Sequence, residues 1–213
     1  MIAAPARPGK WLDTSVICST DVLTAAAAQG YGGIVRYVPL PRNSGAWDIT
    51  ELELDRIVAA DLQCALVQHV RKGHWNPSLC SGSEDADAAV DWAIHAGYPA
   101  GCHIFCDAED MAGIDLSAIH YLNEWSAEVI QGGFLAGLYV GFSVPLTPEQ
   151  LWELPGFNQY WSDAGKRHVA TRGCSMVQGG EVQVQGTTFD IDYVAPDLLG
   201  GLPMVATSDE AAS

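Results

Sequence analysis

Positive charge is scarce in this chain: 10 Lys and Arg stand against 26 Asp and Glu, for a formal net charge of −16 over 213 residues. Nucleic-acid backbones are held by clustered Lys and Arg, so the composition argues against a nucleic-acid partner. An anionic membrane or wall surface would repel the free chain for the same reason. Long apolar runs are missing too. No stretch approaches the ~18 residues needed to cross a bilayer, and residues 1–9, with Pro5 and Pro8, hold no apolar segment of signal-peptide length. The expectation is a soluble chain, cytoplasmic as synthesised, with no membrane partner.

Several catalytic signatures are also absent. The six cysteines (Cys18, Cys64, Cys80, Cys102, Cys106, Cys174) show no Cys-x-x-Cys spacing, and several sit in apolar segments, as reduced core residues do. Cys102 and Cys106 would lie roughly 13 Å apart on one strand, too far for a bridge. No His-x-x-x-His pair supports zinc. His69 and His74 flank a strand end, His95 and His120 fall on helices, and His103 reads as a hydrogen-bonded core residue. No Gly-x-Ser-x-Gly elbow supports a serine hydrolase, and Gly179-Gly180 lacks the strand-to-helix context of a phosphate loop. Neither a metal nor a cofactor is expected.

What is present is hydrophobic content of 48%, enough for one sizeable core and one domain. The most informative stretch is residues 102–110. Ile104, Phe105 and Cys106 lack the polar alternation of a half-exposed strand, which predicts a parallel strand covered on both faces. Asp107, Glu109 and Asp110 follow at its C-terminal end. If the extended conformation persists, Asp107 and Glu109 leave the same face, raise each other's pKa and serve as an acid and an ionised carboxylate. Glycosidic bond cleavage needs that pairing; a solvated acidic loop is the plainer alternative.

Around that strand the spacing predicts alternation. A strand over 10–16 ends on Asp13, Ser19 or Thr20 caps a helix over 21–29, and a strand spans 33–38. Thr50 and Glu53 have capping-box spacing ahead of a helix with Leu54, Ile57 and Val58 inward. A strand covers 62–70, and a helix over 83–96 carries Ala86, Ala89, Val90, Ala93 and Ile94 at helical spacing. A helix over 115–131 turns Tyr121, Leu122, Trp125 and Val129 inward, and a strand spans 134–140. The rhythm then weakens to a short helix over 147–153 and brief strands at 157–161, 169–170, 175–178, 182–185 and 187–194, with Gly179-Gly180 as a turn. The order predicts an α/β fold: a single TIM-like β/α barrel, irregular in its last three units, where helices are short or missing. Residues 1–9 read as an N-terminal extension, 10–195 as the barrel, and 196–213 as a tail, either an ordered wrap or loose.

Asp13-Thr-Ser, Asp107-Ala-Glu109, Leu138-Tyr-Val, Tyr160-Trp161-Ser, Gln178 and Phe189-Asp-Ile-Asp-Tyr193, taken in that order over roughly 9–195, resemble the glycoside-hydrolase-like TIM-barrel family, related to the family-25 lysozymes. The resemblance implies an acidic groove at the C-terminal strand ends, with Asp13, Asp107, Glu109 and Asp190 at matching positions. Asp192 stands where lysozyme relatives often carry Asn. It also implies Glu109 as proton donor. Barrel physics agrees, since three separate strands end in acids. Tyr37, Tyr139 and Trp161 fall near strand ends, where aromatic faces stack on sugars or simply pack the rim. The expected function is hydrolysis of an N-acetylated polysaccharide such as peptidoglycan, with that glycan as the partner. The catalytic set is then Glu109, Asp107, Asp13 and Asp190, and the substrate-binding set Asp192, Tyr37, Tyr139, Trp161 and Gln178. Two alternatives stand beside it. One is a non-catalytic glycan-binding or structural barrel of a phage particle or bacterial envelope. The other is a hydrolase using Asp107, Glu109, Asp110, Asp190 and Asp192 to hold Mg²⁺ or Ca²⁺. Oligomeric state is not readable from the sequence.

Overall fold

The computed structural model describes residues 1–71, 73–164 and 169–209. Eight strands close into a mixed barrel. They are β2 (Gly9–Asp13), β3 (Gly33–Val38), β4 (Gln63–Gln68), β5 (His103–Asp107), β6 (Leu135–Val140), β7 (Phe157–Ser162), β8 (Met176–Val184) and β9 (Thr187–Val194). Neighbours from β2 to β8 pair in parallel, while β9 runs antiparallel to both β8 and β2 and completes the ring.

Helices α1 (Thr20–Ala28), α2 (Glu51–Ala59), α3 (Gly82–His95) and α4 (Asp115–Gln131) cross between the early strands. The five-residue α5 (Pro148–Trp152) follows β6, and no helix lies among the described residues between β7 and β9. Helix starts follow local chemistry. Ser19, Thr50 and Ser81 side chains each accept a backbone N–H three residues on, and Thr147 with Gln150 forms a full capping box. The box anticipated at Thr50 is half made: Thr50 accepts from Glu53, but the Glu53 carboxylate turns to Arg36 and to the Cys18 N–H.

Apolar alternation on the strands sorts two cores. Inside the barrel lie Trp11, Val35, Val67, Phe105, Tyr139 and Trp161; between strands and helices lie Leu12, Ile34, Leu66, Ile104 and Leu138 with the inward helix faces. Tyr121, Leu122, Trp125 and Val129 of α4 face inward as their spacing predicts, whereas Ile94 is 58% exposed at the end of α3. The bottom of the barrel is covered by β1 (Ile2–Pro5) and β10 (Met204–Thr207), an antiparallel pair whose Ala206 bonds to Cys64 of β4. His103 is buried here, its ring bonded to Asn158 and accepting the Met204 N–H at 2.8 Å. The described end of the chain is therefore an ordered wrap.

Three local expectations change. Residues 169–170 form no strand. The segments 175–178 and 182–185 are one strand, β8, whose register shifts between Gln178 and Glu181. Gly179-Gly180 thus makes a bulge rather than a turn, and a Cβ on Gly179 would lie 2.7 Å from the Tyr193 ring packed over it. No disulfide joins any of the six cysteines among the described residues.

Candidate active site

The alternation that buries Trp11 in the barrel also sends Asp13 inward at the C-terminal end of β2. Because β9 runs antiparallel, its register sets Asp190 opposite Asp13 and Asp192 opposite Trp11. Asp13, Asp190 and Asp192 therefore come together from two neighbouring strands. Asp192 is fully buried and accepts the Trp161 Nε1–H at 2.8 Å. Asp13 accepts the Tyr37 hydroxyl at 3.1 Å. The second oxygens, Asp13 Oδ1 and Asp192 Oδ2, have no hydrogen-bond partner among the described residues.

Such an arrangement disfavours full ionisation. Burial, followed by the neighbouring Asp190 charge, pushes the Asp13 carboxyl up from 3.8 to about 7 against the opposing Tyr37 bond and Arg36. Burial and then Asp13 raise Asp192 well above the carboxylate range. Asp190, partly open, is raised by its own burial and by Glu181, while the Gln178 amide that donates to it at 3.1 Å acts the other way.

Asp107 closes β5 and lies in register with Tyr139 of β6. The extended conformation does not persist to Glu109. Asp107 Oδ1 captures the Glu109 N–H at 2.9 Å, and Asp110 adopts φ 56°, so the chain turns immediately after the strand. Glu109 reaches the mouth by that turn rather than by strand periodicity. Its stem lies against Gly141, where an added Cβ would sit 2.7 Å from the Glu109 Cβ. Burial, then Asp163 and Asp110, raise the Glu109 pKa; burial, then Glu109 and Asp13, raise that of Asp107 well above 3.8, opposed by the captured N–H.

The aromatic residues divide. Tyr37 is partly exposed at the mouth, and Tyr139 sends its hydroxyl to Gln178 Oε1 at 2.6 Å, so Tyr139, Gln178 and Asp190 form one chain. Trp161 is 1% exposed and enclosed by Phe105 and Tyr139. Expected as a stacking surface, it is instead buried between those rings, with its Nε1–H donated to Asp192. Asp110 faces the loop after β4, where it pairs with His74. Among the described residues no three or more His, Cys, Asp or Glu side chains form a group able to hold a metal ion, so the five-acid cation set does not assemble.

Residues not singled out by sequence reasoning border this mouth. A cleft of about 890 Å³ opens beside Tyr37, with Trp47, Arg71 and Trp75 in its walls. They lie on the loops after β3 and β4 and have no periodic signal; only the aromatic content of those loops pointed to them.

A family model described as "Rv2525c-like, glycoside hydrolase-like domain" matches residues 24–194. The Tat-secreted protein Rv2525c of Mycobacterium tuberculosis, solved with L-tartrate, superimposes with a TM-score of 0.65 at 17% identity, covering 89% of this chain and 96% of that one. A bacterial lysozyme from Streptomyces coelicolor gives 0.58 at 11%, covering 88% and 92%. The modular autolysin LytC from Streptococcus pneumoniae, in complex with a synthetic peptidoglycan ligand, gives 0.57 at 13%, covering 86% and 46%. These likenesses establish a shared fold. No curated protein sequence matches the chain.

Proposed function

The chain belongs to the Rv2525c-like, glycoside hydrolase-like domain family, and from that premise we propose that it cleaves a β-linked N-acetylated polysaccharide such as peptidoglycan at the barrel mouth. What supports this reading is that Asp190 of β9 stands opposite Asp13 of β2, and that Asp107, at the end of β5, feels the charges of Glu109 and Asp13. Support for the glycan comes from a lysozyme and a peptidoglycan-bound autolysin of the same fold.

Glu109, whose pKa is raised by partial burial and then by the charges of Asp163 and Asp110, protonates the leaving oxygen. Asp107, whose burial raises its pKa well above 3.8, donates a hydrogen bond to a substrate acetamido oxygen, as a carboxyl that keeps its proton can. Asp190 receives the Gln178 amide, a bond that offsets part of the upward push of burial and Glu181, and its ionised form stabilises the oxocarbenium-like centre. Asp13 and Asp192 lie beneath and set the charge of the mouth. Tyr37 borders the sugar, while Tyr139 and Gln178 orient Asp190.

The test is release of new reducing ends from purified peptidoglycan by the wild type and Glu109→Gln, with and without chelator. Release that the substitution reduces by at least about a hundredfold and chelator spares supports a metal-free glycosidase. Equal release by both proteins would sink the assignment of Glu109. Absence of release by folded wild type that still pelleted with the glycan would leave the non-catalytic barrel, of phage particle or envelope, in its place.

A further inference from the structure

The cleft beside Tyr37 differs from the mouth in charge. Among the described residues that line it none is Asp or Glu, and Arg71 is the one Lys or Arg. It shares Tyr37 and Ser15 with the pocket of about 250 Å³ that contains Asp13 and Asp190, so the two are contiguous. A volume of about 890 Å³ exceeds what one sugar ring fills and lies within the range of preformed ligand sites.

Its walls are fixed before any ligand arrives. Buried Arg36 donates to the Trp47 carbonyl and, on its other side, to the Thr14 carbonyl, tying the loops after β2 and β3 together. Asp48, fully buried, bonds the Gly45 N–H and the His69 ring, and His69 stacks on Tyr37 with centroids 4.7 Å apart. The Trp47 indole lies flat against Gly45, where a Cβ would be 2.4 Å from the ring, yet the residue stays 49% exposed. An indole with one face on backbone and much of its surface open is suited to stacking on a sugar.

Arg71 is equally preset. Its Nε and Nη2 grip both oxygens of buried Asp85, which also accepts the Tyr121 hydroxyl. Nη1 has no hydrogen bond to the described residues, and the side chain is 32% exposed. An anchored guanidinium with N–H groups to spare, in a cleft whose described lining holds no acid, takes an acceptor and takes a carboxylate best. The acids of the mouth would repel that carboxylate, so a ligand spanning both must place it at the Arg71 end.

We propose that this cleft is a subsite for a sugar bearing a carboxylate, with Trp47 against its ring and Arg71 Nη1 on its acid group, so that the protein selects acid-substituted glycans over neutral ones. The proposal rests on the glycan reading above and names its substrate class more narrowly.

Two probes of equal length separate the possibilities: a neutral N-acetylglucosamine tetrasaccharide and a peptide-free alternating N-acetylglucosamine–N-acetylmuramic acid tetrasaccharide with free lactyl carboxylates. Calorimetric titration of the wild type is expected to favour the acidic probe by about tenfold. Arg71→Gln should abolish that preference while leaving neutral-probe affinity within about twofold, and Arg71→Lys should keep part of it. Because Arg71→Gln strands a buried Asp85, the double substitution Arg71→Gln/Asp85→Asn removes the stranded charge and should behave alike. Trp47→Ala should weaken both probes. Equal wild-type affinity for the two probes, or a preference surviving loss of Arg71, overturns the carboxylate subsite while the glycan reading stands. No binding of either probe overturns both.

Discussion

Asp13 carries a measurable consequence of its surroundings. Its folded pKa, about 7, lies above the 3.8 of an ordinary aspartate, so the folded state holds the proton more tightly than the unfolded chain. The Asp13 contribution to folding stability is then fully present below about pH 4, is lost as pH rises through the interval to 7, and is gone above it. Asp107 and Asp192, also raised, act in the same direction. Asp13→Asn keeps a side-chain oxygen for Tyr37 but has no proton to lose. Denaturant melts at pH 5 and 8 should show the wild type weakening by roughly 2–4 kcal/mol and the variant by clearly less. Gly141 makes a second residue-scale demand. Its hydrogen lies where a methyl group would collide with the Glu109 Cβ and Cγ, so something must shift to admit one. Gly141→Ala should therefore lower peptidoglycan turnover by about tenfold or more with a near-normal melting curve; unaltered turnover would show that Glu109 needs no such seat.

Single elements position these groups through their ends more than through their lengths. The β5 strand was legible as an apolar run ending in acids, but the Asp107-to-Glu109 turn was not, because it depends on a side chain capturing a backbone amide rather than on periodicity. Likewise the Thr50 cap was legible and the diversion of Glu53 was not, since its partner Arg36 comes from another strand. That pair, with both side chains essentially unexposed, joins β3, α2 and the loops leading into α1 and α2. Removing one member leaves an uncompensated buried charge. Arg36→Met should cost about 3–5 kcal/mol in urea titration, and Arg36→Met/Glu53→Leu should recover much of it. If the double variant is no more stable than the single one, the lost bonds to the Thr14 and Trp47 carbonyls dominate instead.

At the scale of the whole molecule, the barrel is closed by one antiparallel strand, β9, and covered below by strands from the two ends of the chain. No helix among the described residues is long and apolar enough to cross a membrane. Val205 is buried in the barrel-interior cluster with Trp11 and Val35, so the lower core depends on a segment beyond the last barrel strand. Deleting residues 201–213 should lower the thermal midpoint by several degrees or more, as burying less apolar area requires; an unchanged midpoint would make β10 dispensable. The sequence alone determined the alternation of strands and helices, the inward helix faces and the acids that end β2 and β5, because apolar periodicity and capping are properties of neighbouring residues; Asp190 and Asp192, expected at a strand end, lie within β9. Only the tertiary structure decided that β9 runs antiparallel against β2, bringing Asp190 and Asp192 to Asp13, that Trp161 is buried with its Nε1–H on Asp192, and that two loops without periodic signal enclose the cleft at Arg71. Register between distant strands, and the low-dielectric surroundings that hold protons on acids, come into being only when the ring closes.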